Sequence, residues 1–290
     1  MIKKILIFGK GFLGNRIAKS LDNTFLTEKR VSGDRAKLED YLSEMYPDIV
    51  INAIGKTHGP GVPSIDWCEK NKKETMRSNV LAVYYLAEAC ARRGIYFVHL
   101  GSGCIYNGNN DGKGFSETDE PNFGLNREQF YATTKIQAER ALKRLSKKYP
   151  DFKYLVLRLR MPIDDMPNER NLITKLLGYK ELIDVPNSMT VVPHMIPTMK
   201  ELMEKEKTGI FNLVNPGVIS AADIMRLYKN LVDPSHEFDV ISLMKLEQDL
   251  VQAKRSNCYL NTDKLKLSGI VLPDIRNGVI GCLTRYSKVS

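Results

Sequence analysis

The sequence has no unbroken apolar run of the roughly 18 residues that a membrane-crossing helix requires, so no transmembrane segment is expected. Its first residues mix lysines with a short apolar run and pass into a glycine loop. No small-residue cleavage site follows, so the start does not read as a secretory signal and a cytoplasmic protein is expected. Cysteine is sparse. Cys68, Cys90, Cys104, Cys258 and Cys282 are odd in number, widely spaced and form no CxxC pair. That argues against a disulfide framework or a thiolate zinc site and leaves at least one free thiol. Histidine is scarce as well, and His58, His99 and His194 show no metal-ligand spacing, so no metal is expected. Acidic residues are outnumbered, giving a net charge of +9. The densest basic cluster, Lys143, Arg144, Lys147 and Lys148, reads as the solvated face of a helix. It lacks the aromatic interleaving of a nucleic-acid surface, so no nucleic-acid partner is expected. A positive cleft that draws in a phosphorylated small molecule fits the charge equally well.

What is present is alternation. Apolar runs at Ile5 to Phe8, Thr24 to Leu26, Asp48 to Ile54, Ile95 to Leu100 and Tyr154 to Leu159 read as strands. Helical stretches separate them: Arg16 to Leu21, Arg35 to Tyr46, one long helix from Glu69 to Arg93 stopped by Gly94, and Phe130 to Tyr149. This order predicts an α/β fold, a Rossmann-type doubly wound parallel sheet whose ligands lie beyond the carboxyl ends of the strands. Beyond Arg160 the pattern gives way to short segments punctuated by Pro162, Pro167, Pro186, Pro193, Pro197 and Pro216. The expected division is a dinucleotide-binding domain over 1–160 and a smaller lobe, mainly substrate-binding, over 161–290. Some segments of the lobe are expected to return to the first domain.

Gly9, Lys10, Gly11, Phe12, Leu13 and Gly14 form a GxGxxG between the first strand and the first helix, the context in which the motif holds a dinucleotide pyrophosphate. An acid after the second strand would hold the ribose hydroxyls of NAD. Glu28 is near that place, but Lys29 and Arg30 follow it and Lys10 sits inside the loop. These cations favour the 2'-phosphate of NADPH, with NADH as the alternative. Asp34 is either an adenine contact or the N-cap of the next helix. Asn52, Ala53 and Met161, near the ends of later strands, are further candidate cofactor contacts.

Tyr131 and Lys135, in Tyr-Ala-Thr-Thr-Lys, lie four apart on one helix face. An ammonium beside a phenol favours the phenolate, which makes the tyrosine a proton donor or acceptor near neutrality. The pair follows the strand end Gly101-Ser102-Gly103, where the Ser102 hydroxyl could hold a substrate carbonyl. On an extended segment Cys104 would share a face with Ser102 and set a thiol beside that carbonyl.

These motifs resemble those of the extended short-chain dehydrogenase/reductases, in which Asn79 stands where the class has an asparagine inside a long helix. More narrowly, the chain is similar to the epimerase/reductases of UDP-rhamnose synthesis, known as the C-terminal module of plant rhamnose synthases and as stand-alone proteins. The segments carrying this similarity are Val62 to Glu69, Gly103 to Ile105, Arg158 to Pro162, Asn171 to Lys175, Val185 to Val191, Asn215 to Val218 and Arg255 to Asn257. The resemblance implies a bifunctional 3,5-epimerase/4-reductase that converts an NDP-4-keto-6-deoxy-glucose, UDP-linked in the plant proteins, to NDP-L-rhamnose with NADPH. It also implies a homodimer built through the long helices. GDP-fucose synthase, a similar enzyme, pairs a cysteine at the Cys104 position with a histidine where this chain has Asn171. Lys175, one turn further on, could supply the proton instead. The implied catalytic set is Tyr131, Lys135, Ser102, Cys104 and Lys175. The implied substrate contacts are Cys104, Asn171, Lys175, Asn187 and Arg255. Two other readings stay open: a reductase acting on an already epimerised dTDP-sugar, and a non-catalytic NADP-binding regulatory subunit.

Overall fold

The computed structural model describes residues 3–125 and 129–286. The chain divides into two compact units, one of residues 1–105, 123–157 and 205–210, the other of residues 106–122, 158–204 and 211–290.

In the first unit, β1 (Ile5–Phe8), α1 (Phe12–Ala18), β2 (Thr24–Thr27), α2 (Arg35–Met45) and β3 (Ile49–Asn52) follow one another. Strands β1 and β3 are buried along their whole length, which is why Ile5–Phe8 and residues 49–51 are continuous apolar stretches rather than alternating ones. α2 begins at the Asp34 cap, and Tyr46, in a left-handed turn at φ 45°, ends it ahead of Pro47. The helix expected over Glu69 to Arg93 is interrupted. It comprises α3 (Asp66–Lys70), α4 (Lys72–Met76), a π-helical turn (Arg77–Leu81) and α5 (Ala82–Arg92). The break falls at Asn71, whose backbone leaves the helical region, and the wide turn carries Asn79. Such π turns frequently mark functional positions. Then come β4 (Tyr96–Ser102), α6 (Phe130–Lys148) and β5 (Tyr154–Leu159).

The second unit contains α7 (Leu172–Leu177), β6 (Glu181–Ile183) and α8 (Val192–Glu204), and beyond β7 (Gly209–Asn212) it continues through α9 (Ala221–Leu231), β8 (Asp239–Ile241), α10 (Leu243–Lys245), α11 (Asp263–Leu267) and α12 (Ile275–Tyr286). It is more regular than the prolines suggest. α8 runs through both Pro193 and Pro197. Pro193 stands in the first turn, where no N–H partner is needed. Pro197 forfeits one hydrogen bond, which the burial of Met195, Ile196, Met199, Leu202 and Met203 outweighs. The core of this unit packs α7, α9 and α12 through Ile173, Leu176, Ile224, Met225, Val279 and Leu283.

The main sheet has the strand order β2-β1-β3-β4-β5-β7, and β6 with β8 makes a separate parallel pair. β1 pairs in parallel with both β2 and β3, and β3 with β4. The chain therefore steps outward from β1 to β2 and then back across it to β3. A doubly wound sheet places its ligand crevice at that reversal, between the ends of β1 and β3.

Candidate active site

At the reversal point the backbones touch. Gly9 has φ +109°, and a Cβ there would come within 2.6 Å of the Ala53 carbonyl carbon. A Cβ on Gly14 would approach the Gly9 carbonyl oxygen to 1.9 Å. Only glycine permits this packing of loop, helix and strand end. Gly11 differs: a Cβ there would meet nothing within 4 Å. The loop thus leaves bare backbone at the start of α1, the shape and polarity that a pyrophosphate requires. These residues fit a bound dinucleotide.

The charged rim is partly committed. The Lys10 ammonium pairs with the Glu28 carboxylate and holds it below the usual carboxylate range. Lys29 lies over the Tyr41 ring, 5.3 Å from its centre, and Arg30 is exposed. The Asp34 side chain accepts from the Lys37 N–H at 3.2 Å and pairs with the Lys37 ammonium at 3.1 Å. Asp34 is the N-cap of α2. Asn52 is fully buried. Its oxygen accepts from the Ile54 N–H at 3.0 Å and its amide nitrogen lies 3.2 Å from His99 Nδ1, so it shapes the turn after β3 rather than offering a free amide. Burial, with the Lys135 ammonium nearby, pushes the His99 imidazole down to about 3, so it is neutral.

Tyr131 and Lys135 open α6, both buried, with the ammonium 5.6 Å from the centre of the phenol ring. Burial lowers the Lys135 pKa, while the thiols of Cys104 and Cys68 and the carboxylate of Glu139 oppose that shift. The loop after β3 closes over this ammonium, and a Cβ on Gly55 would lie 3.5 Å from Nζ. Asn79 pins the same loop. Its oxygen accepts from the Lys56 N–H at 2.6 Å, and its nitrogen donates to the Lys56 carbonyl at 3.0 Å and to Thr134 Oγ1 at 3.2 Å. The sequence pointed to Asn79 but carried no signal for Lys56 or Thr134, since contacts across 23 and 55 residues leave no local pattern.

Ser102 is the last residue of β4 and its Oγ accepts from the Cys104 N–H at 3.1 Å. The extended segment expected to align Ser102 with Cys104 therefore does not exist: the strand ends at Ser102 and Cys104 lies in the turn after it. Cys104 packs instead against the apolar cluster of Trp67, Cys68 and Tyr131. Cys68, the other thiol there, is fully buried, donates to the Lys56 carbonyl at 3.5 Å and has its pKa raised by burial, which disfavours its thiolate.

Within the second unit, Lys175 sits on α7, and burial together with the neighbouring Arg170 cation brings its pKa down to about 8. Asn171 is the cap of that helix. Its oxygen accepts from the Asp164 and Ile173 N–H groups, its nitrogen donates to the Asp164 and Met166 carbonyls, and the residue is fully buried. With every hydrogen-bonding position of its amide filled inside the fold, Asn171 serves as the cap of α7. Asn187 is also bonded within the fold. Its side chain bonds Arg160 Nη2, the Cys258 N–H and Asn257 Oδ1, and so ties down the segment that follows Arg255. Arg255 itself is half-buried, with Nη1 donating to the Ala253 carbonyl at 3.0 Å. Met161, ahead of Pro162, adopts a left-handed φ of 37°, a strained conformation for a residue with a side chain. Among the described residues no group of His, Cys, Asp and Glu could hold a metal ion, and no helix is long and apolar enough to cross a membrane.

The family described as NAD dependent epimerase/dehydratase matches residues 5–163. The crystal structure of the UDP-rhamnose synthase L780 of Acanthamoeba polyphaga mimivirus superposes with a TM-score of 0.88 at 34% identity, covering 98% of this chain and 99% of that one. A bifunctional dTDP-4-dehydrorhamnose 3,5-epimerase/dTDP-4-dehydrorhamnose reductase of Arabidopsis thaliana is 35% identical over 285 residues, 95% of this chain and 90% of that protein. A dTDP-4-dehydrorhamnose reductase of Bacillus anthracis, solved with NADP, shares the fold with a TM-score of 0.78 at 18% identity, covering 96% of this chain and 97% of that one.

Proposed function

The chain belongs to the NAD dependent epimerase/dehydratase family, and from that membership we propose that it is a bifunctional 3,5-epimerase/4-reductase converting a UDP-linked 4-keto-6-deoxy-glucose to UDP-L-rhamnose with NADPH. The observation that carries the reading is the grouping of Tyr131, Lys135 and Cys104, a proton donor, its ammonium and a thiol around one buried cluster. A reductase alone needs the first two and has no use for the third. Two relatives above 30% identity support both steps, one being a UDP-rhamnose synthase and the other a 3,5-epimerase/reductase.

The C4 ketone acidifies the hydrogens on C3 and C5. Cys104 is the proposed base that removes one, and Lys175 the proposed acid that returns one to the opposite face. An ammonium whose pKa is about 8 gives up its proton readily near neutrality. Ser102 and Tyr131 hydrogen-bond the oxygen on C4 and stabilise the enolate between the two transfers. NADPH, when bound, supplies the hydride to C4. Tyr131 then passes its phenolic proton to O4, and Lys135 steadies the resulting phenolate. Gly9, Gly11 and Gly14 hold the pyrophosphate, with Lys10, Lys29 and Arg30 for the 2'-phosphate. Arg255, on its anchored segment, is the proposed partner of the substrate diphosphate. The assembly is proposed to be a cytoplasmic homodimer formed through α5 and α6. Incubation with NADPH and either the UDP- or the dTDP-linked ketone, followed by identification of the product sugar, tests the function. L-rhamnose on UDP is expected, and absence of turnover with both ketones refutes it.

A further inference from the structure

Among the described residues, the catalytic helix α6 supplies no side-chain cap of its own. Gln129 makes no side-chain bond to it, and its first turn carries no acidic residue. The first N–H groups of a helix are nevertheless donors that must be satisfied, and the positive end of its dipole favours an anion. Glu69 fills that place from another helix. Its Oε2 accepts from the Phe130 N–H at 3.0 Å and its Oε1 from the N–H of Tyr131 itself at 3.3 Å. The segment that delivers Glu69 grips the same helix end in two further ways. Trp67 and Cys68 of α3 pack on the Tyr131 side chain, and the Lys72 ammonium lies 5.6 Å from the centre of the Phe130 ring.

We infer that Glu69 is a positioning residue for the reaction: its carboxylate caps α6 in trans and fixes the backbone of Tyr131, and with it the placement of the phenol against the C4 oxygen. The inference rests on Tyr131 being the acid of the reduction. The backbone bond fixes where the Tyr131 side chain departs, and the packing of Trp67 and Cys68 on it restrains the phenol itself. An anchor lost at this point displaces the acid without removing it, and displacements of about 1 Å cost up to about 100-fold in rate.

The experiment compares Glu69→Gln, Glu69→Ala and Tyr131→Phe with the unmodified protein. It measures kcat and KM for the UDP-linked 4-keto sugar, the isotope effect on kcat with NADPH deuterated at nicotinamide C4, NADPH affinity by fluorescence, and Tm. Glu69→Gln is nearly isosteric, keeps one acceptor and preserves the packing. The expected result is a kcat lowered about 10- to 100-fold in Glu69→Ala and less in Glu69→Gln. KM and NADPH affinity should change less than about threefold, and the isotope effect should rise as the chemical step becomes limiting. A lower Tm with kcat and isotope effect unchanged in Glu69→Gln would overturn the inference and leave only an ordinary cap. If Tyr131→Phe also turns over at the normal rate, the underlying assignment of the acid fails. If Tyr131→Phe is inactive while Glu69→Gln is unaffected, the positioning role alone fails.

Discussion

At the scale of single residues, the account rests on three chemistries that can be separated. Epimerisation needs a base and an acid, and reduction needs neither Cys104 nor Lys175. Cys104→Ser keeps the packing against Trp67 and Tyr131 but replaces the thiol with a hydroxyl that ionises far above the working pH. Solvent deuterium should then stop entering C3 and C5 while some reduction of the unepimerised ketone persists. Normal exchange in this variant would show that the thiol is not the base. The role proposed for Lys175 predicts a pH dependence for the exchange. Its pKa is depressed to about 8, so the protonated form needed to deliver a proton is lost as pH rises through that value. Exchange should fall on the alkaline side with a midpoint near 8, and Lys175→Met should abolish it. Cofactor choice turns on a third residue. Lys10 pairs with Glu28, the acid standing where NAD sites place theirs, so binding a 2'-phosphate exchanges one anion for another around the same ammonium. Lys10→Met should weaken NADPH by about 10- to 100-fold, the worth of one charge-assisted contact, and leave NADH nearly unchanged. Equal losses for the two cofactors, measured as dissociation constants, would count against this role.

At the scale of elements, what the sequence revealed follows from how local each cause is. β1 and β3 were legible because full burial makes Ile5–Phe8 and residues 49–51 continuous apolar stretches, and the glycine loop because its steric need is met by one residue type. The interruption between Glu69 and Arg93 was not legible. Nothing in that stretch forbids helix, and the π turn at Arg77–Leu81 accompanies bonds from Asn79 to the distant Lys56 and Thr134. The alignment of Cys104 with Ser102 failed because strand parity stops where the strand does. Asn171 was recognised as a departure from the fucose-synthase histidine, but its job depends on Asp164 and Met166, which only the folded turn brings to it. Asn171→Ala strips α7 of its cap and leaves the Asp164 and Ile173 N–H groups without their buried acceptor. The cost should be about 1 to 3 kcal/mol by denaturant unfolding, with deuterium exchange slowed because Lys175 rides on that helix. A variant as stable as the parent would show that the cap is dispensable.

At the scale of the whole molecule, the sheet order places the dinucleotide loop at the reversal between β1 and β3, and α6 sets the phenol and ammonium in the same unit. The second unit carries Lys175 and Arg255, the residues assigned to proton return and to the substrate diphosphate. Under the proposed function, one chain carries side chains for two consecutive reactions on one sugar. This is the central claim, and a single experiment reads both reactions at once. The protein is incubated in deuterated water with NADPH and the UDP-linked 4-keto-6-deoxy-glucose, and the product is read by NMR. The account predicts UDP-L-rhamnose carrying deuterium at both C3 and C5, with one unlabelled hydrogen from NADPH at C4. A reduced 6-deoxy sugar that retains the original configuration and protium at C3 and C5 would contradict it.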